Sequence, residues 1–444
     1  MTVASAPRAA LEPAARLLCE HRGARPGPTL IIVAGVHGNE PAGIEAAQRV
    51  DALLSEAGLH AGRLIALRGN LAALSVDAER PWLRPRYIDE DLNRVFTPSA
   101  IAAHDDSAER AERDALLRTL RRFASSDAQT TYLLDLHTVS SDSPPFIALE
   151  DALATRRFAL RFPLPKILGM EEELPGLMMD HAANELGCIA CIVESGRHDD
   201  PGSVDVHEAV ILAALASLGL TRDEMRTAAG ASPMHLLRTA ARDRAGHVYD
   251  VRHRRCIEDP SFRMRPGVEA FARVRERRTV LATEAGRELT PPIGGLLFMP
   301  NRQPEPRVGD DAYFIVHRIN TAWLAISAWL RRQPWLHASL PRVLPGVRRR
   351  PGHAGDLLIA PEIAAVLKRE FFHLLGYRII RRPRQAYLPR RHRWRRATNS
   401  TARSTLRIAL GVFHGGEKSA LPGERRGDWI ARRRTLDVKP PGHH

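Results

Sequence analysis

Four short, largely apolar runs constrain this chain most. They are Thr29–Val36 (TLIIVAGV), Arg63–Asn70 (RLIALRGN), Thr131–Thr138 (TYLLDLHT) and Cys188–Gly196 (CIACIVESG). A strand with one wet face alternates apolar and polar residues, whereas a continuous run is apolar on both faces and needs cover above and below. Amphipathic helical patterns lie between and after these runs, at Ala42–Leu54 (with Pro41 at the first turn), at Asp105–Phe123 and at Val206–Leu218. Buried strands alternating with helices predict an α/β domain around a mostly parallel sheet.

From about His235 the texture changes. His247–Val251, Val268–Val274, Thr279–Thr283, Gly295–Met299 and Ala312–Val316 are short strand-like runs separated by Gly, Pro and charged turns, the pattern of a small all-β module. Asn320–Arg332 reads as an amphipathic helix carrying Trp, and Pro361–Leu375 as another helix. After Arg381 the chain is polar, basic and expected to be poorly ordered. The expected organisation is therefore a catalytic domain over residues 1–232, a small β domain over 233–318 and a basic extension over 319–444.

Charge is distributed unevenly along the 444 residues. From Arg331 onward there are 26 Lys+Arg against 7 Asp+Glu, whereas the preceding 330 residues carry 39 against 44. The overall excess of +14 thus belongs to the extension and not to the body. Arg-rich runs there, interleaved with Tyr387, Trp394 and Trp429, allow weak, non-specific binding of polyanions, although no recognition motif accompanies them. No apolar run approaches the roughly 18 residues of a membrane-spanning helix. Four cysteines are too few for a disulfide framework, and the N-terminus lacks the apolar core of a secretory signal, so a cytoplasmic location is expected. Cys188 and Cys191 form a CxxC pair, but residues three apart on a strand face opposite sides, so they are expected to be separate core thiols.

Chemistry concentrates where the apolar runs end. His37 and Glu40 follow the first run on the turn into a helix, with Gly35 and Gly38 permitting a tight loop, and can both point at one ion. Hydrolytic zinc takes three N/O protein ligands and leaves one position open. His137, at the end of the third run, completes such a set, and open α/β sheets place their sites at these strand ends. Asp135 shares a strand face with His137 and is a candidate to orient it. Glu194 closes the fourth run. A carboxylate there is costly unless it is paired, and a general base in a low-polarity setting is one reason for it. Arg86–Phe96 (RYIDEDLNRVF) packs arginines, acids and an asparagine into one loop, either as a self-paired exposed segment or as a clamp for a carboxylate and a developing oxyanion.

Taken in order, HGNE, RYIDEDLNRVF, DLHT and VES resemble the succinylglutamate desuccinylase/aspartoacylase family, relatives of the zinc carboxypeptidases, over about residues 28–318. The resemblance implies a zinc-carboxypeptidase-like fold and one Zn2+ per chain on His37, Glu40 and His137. It implies Glu194 as general acid/base, Arg86 as the group polarising the scissile carbonyl, and Asn93 with Arg94 holding a substrate carboxylate. The reaction implied is hydrolysis of the amide bond of a small N-acylated, carboxylate-bearing molecule. The family's further substrate-binding arginine, shortly before the catalytic glutamate, is Asn184 here, with Arg197 as the candidate to stand in for it. GRHDDP after Ser195 also departs from the family pattern. The other readings are a metallocarboxypeptidase acting on peptides and a metal-binding pseudoenzyme whose tail binds polyanions. Asp199, Asp200, His181, His198 and His207 are expected to be surface residues.

Overall fold

The computed structural model describes residues 13–433 apart from 78–83, 104–105, 125–128, 352–355, 361–362, 364–369 and 382–428. The first four strands are β1 (Leu17–Arg22), β2 (Arg25–Ala34), β3 (Ala61–Arg68) and β4 (Thr131–Val139). They are followed by β5 (Phe146–Leu149), β6 (Lys166–Leu168), β7 (Ile189–Arg197) and β8 (Val248–Cys256). Then come β9 (Arg263–Met264), β10 (Arg273–Val274), β11 (Ala282–Glu284), β12 (Arg287–Leu289), β13 (Gly295–Phe298) and β14 (Asp311–Ile319). Eleven of them form one sheet in the order β1-β3-β2-β4-β7-β5-β6-β8-β14-β13-β10. The four expected strands are its parallel centre, β3-β2-β4-β7.

Two cores cover the faces of this sheet. Leu30, Ile32 and Ala34 of β2 pack with the helices Ala42–Ala57 and Gly202–Ser217, while Ile31 and Val33 pack on the other side with Ala108–Ala124 and Met178–Glu185. Cys191 belongs to the first core and Cys188 to the second, both fully buried, as alternation along β7 requires.

The segment expected to be a separate β module differs. Strand β8 pairs in parallel with β6, and β14, β13 and β10 then add antiparallel, so these strands lengthen the central sheet instead of closing a sheet of their own. Only β12-β11-β9 stand apart, over a small core of Phe262, Leu281, Leu297 and Ile315. Apolar patterning marks strands but not their partners. β6 offers an open backbone edge that only the tertiary fold reveals.

A second compact unit begins at Trp329. Expected to be a helix plus disorder, it has a folded core among its described residues. A four-stranded sheet combines β15 (Val347–Arg349), β16 (Asp356–Ile359), β17 (Tyr377–Arg381) and β18 (Trp429–Arg433). It packs with Leu340 of the helix Pro334–Val343 and with Phe372 and Leu375. Most of the helix expected at Pro361–Leu375, and the basic stretch with Tyr387 and Trp394, lie outside the described residues.

Two buried charges show how the first unit is held. Glu109, wholly buried on the helix Ala108–Ala124, accepts from Asn70 Nδ2 (3.0 Å) and from the backbone N–H groups of Ile88 (2.8 Å), Asp89 (3.0 Å) and Glu90 (3.2 Å). It thereby ties the Arg86–Phe96 loop to the sheet. Glu109→Ala leaves these donors without their acceptor, at about 1–3 kcal/mol for each that stays buried. A fall of several degrees in Tm, measured by calorimetry, is the expected result.

Lys166 on β6 is 3% exposed and donates to the Phe162 carbonyl. Burial pushes its ammonium down from 10.5 to about 8. Between these pH values the unfolded chain binds the extra proton, so this lysine's contribution to stability rises with pH across that window, and its penalty is fully present below about 8. The penalty is on the order of 3 kcal/mol. Lys166→Met is therefore expected to gain stability over wild type near neutral pH, with the gap in Tm narrowing as the pH is raised towards 10. A gap independent of pH would contradict the assignment.

Candidate active site

β2 ends at Ala34, and Gly35 turns the chain with φ +69°. Gly38 then lets the Arg86 loop come in. Its N–H donates to Arg86 O at 3.0 Å, and a Cβ there would lie 2.5 Å from Pro85 O. This approach brings Arg86 and Asp91 beside His37 and Glu40.

The centre is Glu40, 2% exposed. Its Oε1 lies 2.9 Å from His37 Nδ1 and accepts from Arg86 Nη1 at 2.9 Å. Its Oε2 lies 2.9 Å from His137 Nδ1 and accepts from the Thr138 N–H at 3.1 Å. The opposite nitrogens of the imidazoles face carboxylates: His37 Nε2 is 3.1 Å from Asp91 Oδ1, and His137 Nε2 is 2.9 Å from Asp135 Oδ1. This is the arrangement that orients metal-binding histidines, with one nitrogen held from behind and the other presented forward. Donor atoms of His37, Glu40 and His137 lie within 4.8 Å of one another, all three residues buried.

Electrostatics follow from burial and like charges. Burial disfavours ionisation of Glu40, yet His37 and His137 hold it well below the usual carboxylate range. Burial likewise opposes charge on His137, but Asp135 and Glu40 carry it well above the ordinary imidazole value. Glu194 goes the other way. Burial, with Glu40 and Asp135 adding to it against His137 and Arg86, pushes it up to about 8. Its Oε2 has no hydrogen-bond partner among the described residues. With Glu40, Asp91 and Asp135 also buried or nearly so, Arg86 supplies too little positive charge, and a divalent cation between His37, Glu40 and His137 fits the deficit.

A cleft of about 300 Å³ opens over this centre and is lined by Glu40, Arg86, Arg94, His137, Glu194 and His198. Its far wall is the loop from Met299 to Asp311. That wall is joined to the Arg86 loop by Tyr87 Oη, 3.3 Å from Asp310 Oδ1, and by Arg94 Nη2, 2.8 Å from Asp311 Oδ2.

The candidates named from the sequence do not all face this cleft. Asn93 is 3% exposed. Its Nδ2 donates to Asp135 Oδ2 (3.3 Å) and lies 3.3 Å from His137 Nε2, while its Oδ1 accepts from Met178 N–H at 2.7 Å. It is used up inside the site and does not point at a ligand. Arg197 is exposed and pairs with Asp199, and Asn184 bonds to Asp180, so neither lines the cleft. Of the histidines expected at the surface, His207 and His181 are buried, and burial pushes His207 down to about 3. His198 reaches the cleft. Its Nδ1 lies 2.6 Å from Thr138 Oγ1, its Nε2 has no partner among the described residues, and burial holds it neutral at about 4. Only its position two residues after the fourth apolar run hinted at this. Asp91, which faces His37, is one of three acids in its loop and nothing local distinguishes it.

Residues 26–217 match the family model described as the succinylglutamate desuccinylase/aspartoacylase catalytic domain. The succinylglutamate desuccinylase of Serratia proteamaculans (strain 568) is 33% identical over 115 residues, covering 26% of this chain and 33% of that relative, so the match spans a third of the relative's length. A succinylglutamate desuccinylase structure from Vibrio cholerae aligns with a TM-score of 0.49 at 20% identity, over 66% of this chain and 82% of that one. The product-bound ectoine utilization protein EutE (DoeB) from Ruegeria pomeroyi aligns with a TM-score of 0.47 at 20% identity, over 66% and 85%. Over residues 26–217 the chain is thus similar to the catalytic domain of the succinylglutamate desuccinylase/aspartoacylase family.

Proposed function

We propose that this protein is a zinc-dependent deacylase that hydrolyses the amide bond of a small N-acylated amino acid. The observation that carries the reading is the convergence of His37 and His137 on Glu40, each backed by a carboxylate, below a cleft that Glu194 helps to line. Two imidazoles and a carboxylate with one side open suit hydrolytic zinc, which when bound polarises a carbonyl and acidifies water.

The remaining steps belong to the chain's own groups. Glu194 takes the proton of the attacking water at its free oxygen and returns it to the leaving nitrogen, and a carboxyl held near neutrality by burial is suited to both transfers. Arg86, kept charged by Asp91 and Glu40, lies beside the place where negative charge develops. Asn93 acts as a positioning residue for Asp135 and His137. Arg94 binds the substrate's carboxylate by sharing its guanidinium with Asp311.

The cleft also narrows the substrate. Among the described residues, Asp89, Glu90, Asp310 and Asp311 line it beside Arg86 and Arg94. A second or third carboxylate on the ligand would meet like charge, so an uncharged acyl group is favoured. A cleft of about 300 Å³ walled by the Met299–Asp311 loop suits a small ligand better than an extended peptide.

Zinc content by inductively coupled plasma mass spectrometry tests the site. His137→Ala is expected to hold one zinc fewer per chain than wild type. Glu194→Gln is expected to keep the metal while losing about 10²–10⁴ in kcat. A chelator should abolish hydrolysis and added zinc restore it. Equal zinc in wild type and His137→Ala would sink the reading. For the substrate, N-acetyl amino acids should exceed their N-succinyl counterparts in kcat/KM, and the reverse order would remove the argument from cleft charge.

A further inference from the structure

A second group of metal-ligating side chains lies away from the cleft. Cys19 and His21 are two apart on β1, so both point to the face covered by the helix Ala42–Ala57, where Cys19 packs with Val50 and Leu54. Asp51 of that helix meets them. His21 Nε2 lies 2.8 Å from Asp51 Oδ1, and the ligand atoms of all three residues fall within 4.8 Å of one another. Asp51 stands nine residues into the helix from Ala42, roughly 14 Å along its axis from the turn that carries Glu40. The two clusters therefore share no residue.

We propose that Cys19, His21 and Asp51 form a second metal site, specific for zinc or a zinc-like divalent ion and bearing a thiolate that the catalytic site lacks. One sulfur, one imidazole nitrogen and one carboxylate oxygen make a borderline-soft set suited to Zn2+ or Co2+ in tetrahedral geometry, with water as the fourth ligand. His21 and Asp51 are only partly covered, which gives an ion a path in, while the sulfur sits at the inner end.

Its role would be structural. β1 lies at the edge of the central sheet, paired on one side only with β3. An ion held by two β1 side chains and one helix side chain would fasten this edge to the layer above.

Cobalt distinguishes the two sites, because only a thiolate ligand gives cobalt a strong near-ultraviolet charge-transfer band. The full chain, stripped of metal and titrated with Co2+, is expected to take up two equivalents per chain and to show the thiolate band. Cys19→Ser should take up one equivalent with no band. Asp51→Asn, which changes a more exposed side chain and serves should Cys19→Ser fold poorly, should weaken the band-forming site at least tenfold. Neither variant is expected to lose hydrolytic activity. A wild-type protein with no thiolate band, or a band that survives in Cys19→Ser, overturns the proposal. Both results are independent of whether His37, Glu40 and His137 hold the catalytic ion.

Discussion

Glu40 is the hinge on which the rest of the catalytic half turns. Its two oxygens collect His37, His137, Arg86 and the Thr138 backbone, which come from the turn after β2, the end of β4 and the Arg86 loop. A carboxylate this buried survives ionised only because each lone pair is matched by a donor. Among the chain's own groups, imidazole nitrogens do this matching, and Asp135 and Glu40 carry His137 well above its ordinary value. A divalent cation does the same work with two charges at one point. Binding it should therefore expel protons from the site, linking metal affinity to pH.

Around Glu40, support is layered outward. Asp91 and Asp135 fix the imidazoles, Asn93 fixes Asp135, and the Met178 N–H fixes Asn93. The Arg86 loop that delivers Asp91 and Asn93 has little regular structure, so its precision comes from Glu109 gripping three successive N–H groups. A loop made rigid from beneath by one buried acid places several charged side chains around Glu40, where the sheet itself supplies only strand ends.

What could be read from the sequence follows the range of the physics behind each feature. The parallel centre of the sheet was legible because a strand buried on both faces must be apolar throughout, and that signal is local. His37, Glu40, His137 and Glu194 were legible for the same reason, as polar residues set at the ends of such runs. Strand β1 was missed because LLCEHR alternates poorly and follows an Ala-rich stretch, and β5 and β6, at four and three residues, are too short for any period. Joining of β8 and β14 to the central sheet was invisible, since pairing between distant strands leaves no local pattern. The family resemblance, and no local feature, put Asn93 against a substrate carboxylate. Its burial against Asp135 and His137 is a tertiary fact, as is the turn that swings His198 back over Thr138.

Arg94 brings specificity and stability together. It pairs with Asp311, which also receives Arg254, so one carboxylate is shared by two guanidinium groups. A substrate carboxylate arriving at Arg94 need not break this pair completely, because Arg254 keeps Asp311 satisfied while Arg94 turns part of its fork to the ligand. Lysine in place of Arg94 could not divide itself in this way, having no planar fork to share between two carboxylates. On the proposed reading this arrangement admits one ligand carboxylate at little cost, while Asp89, Glu90 and Asp310 elsewhere in the lining would oppose a second. On the same reading, selectivity for singly charged substrates would be built from the acids that hold the walls together, and relaxing it would require replacing residues on which the cleft's own shape depends.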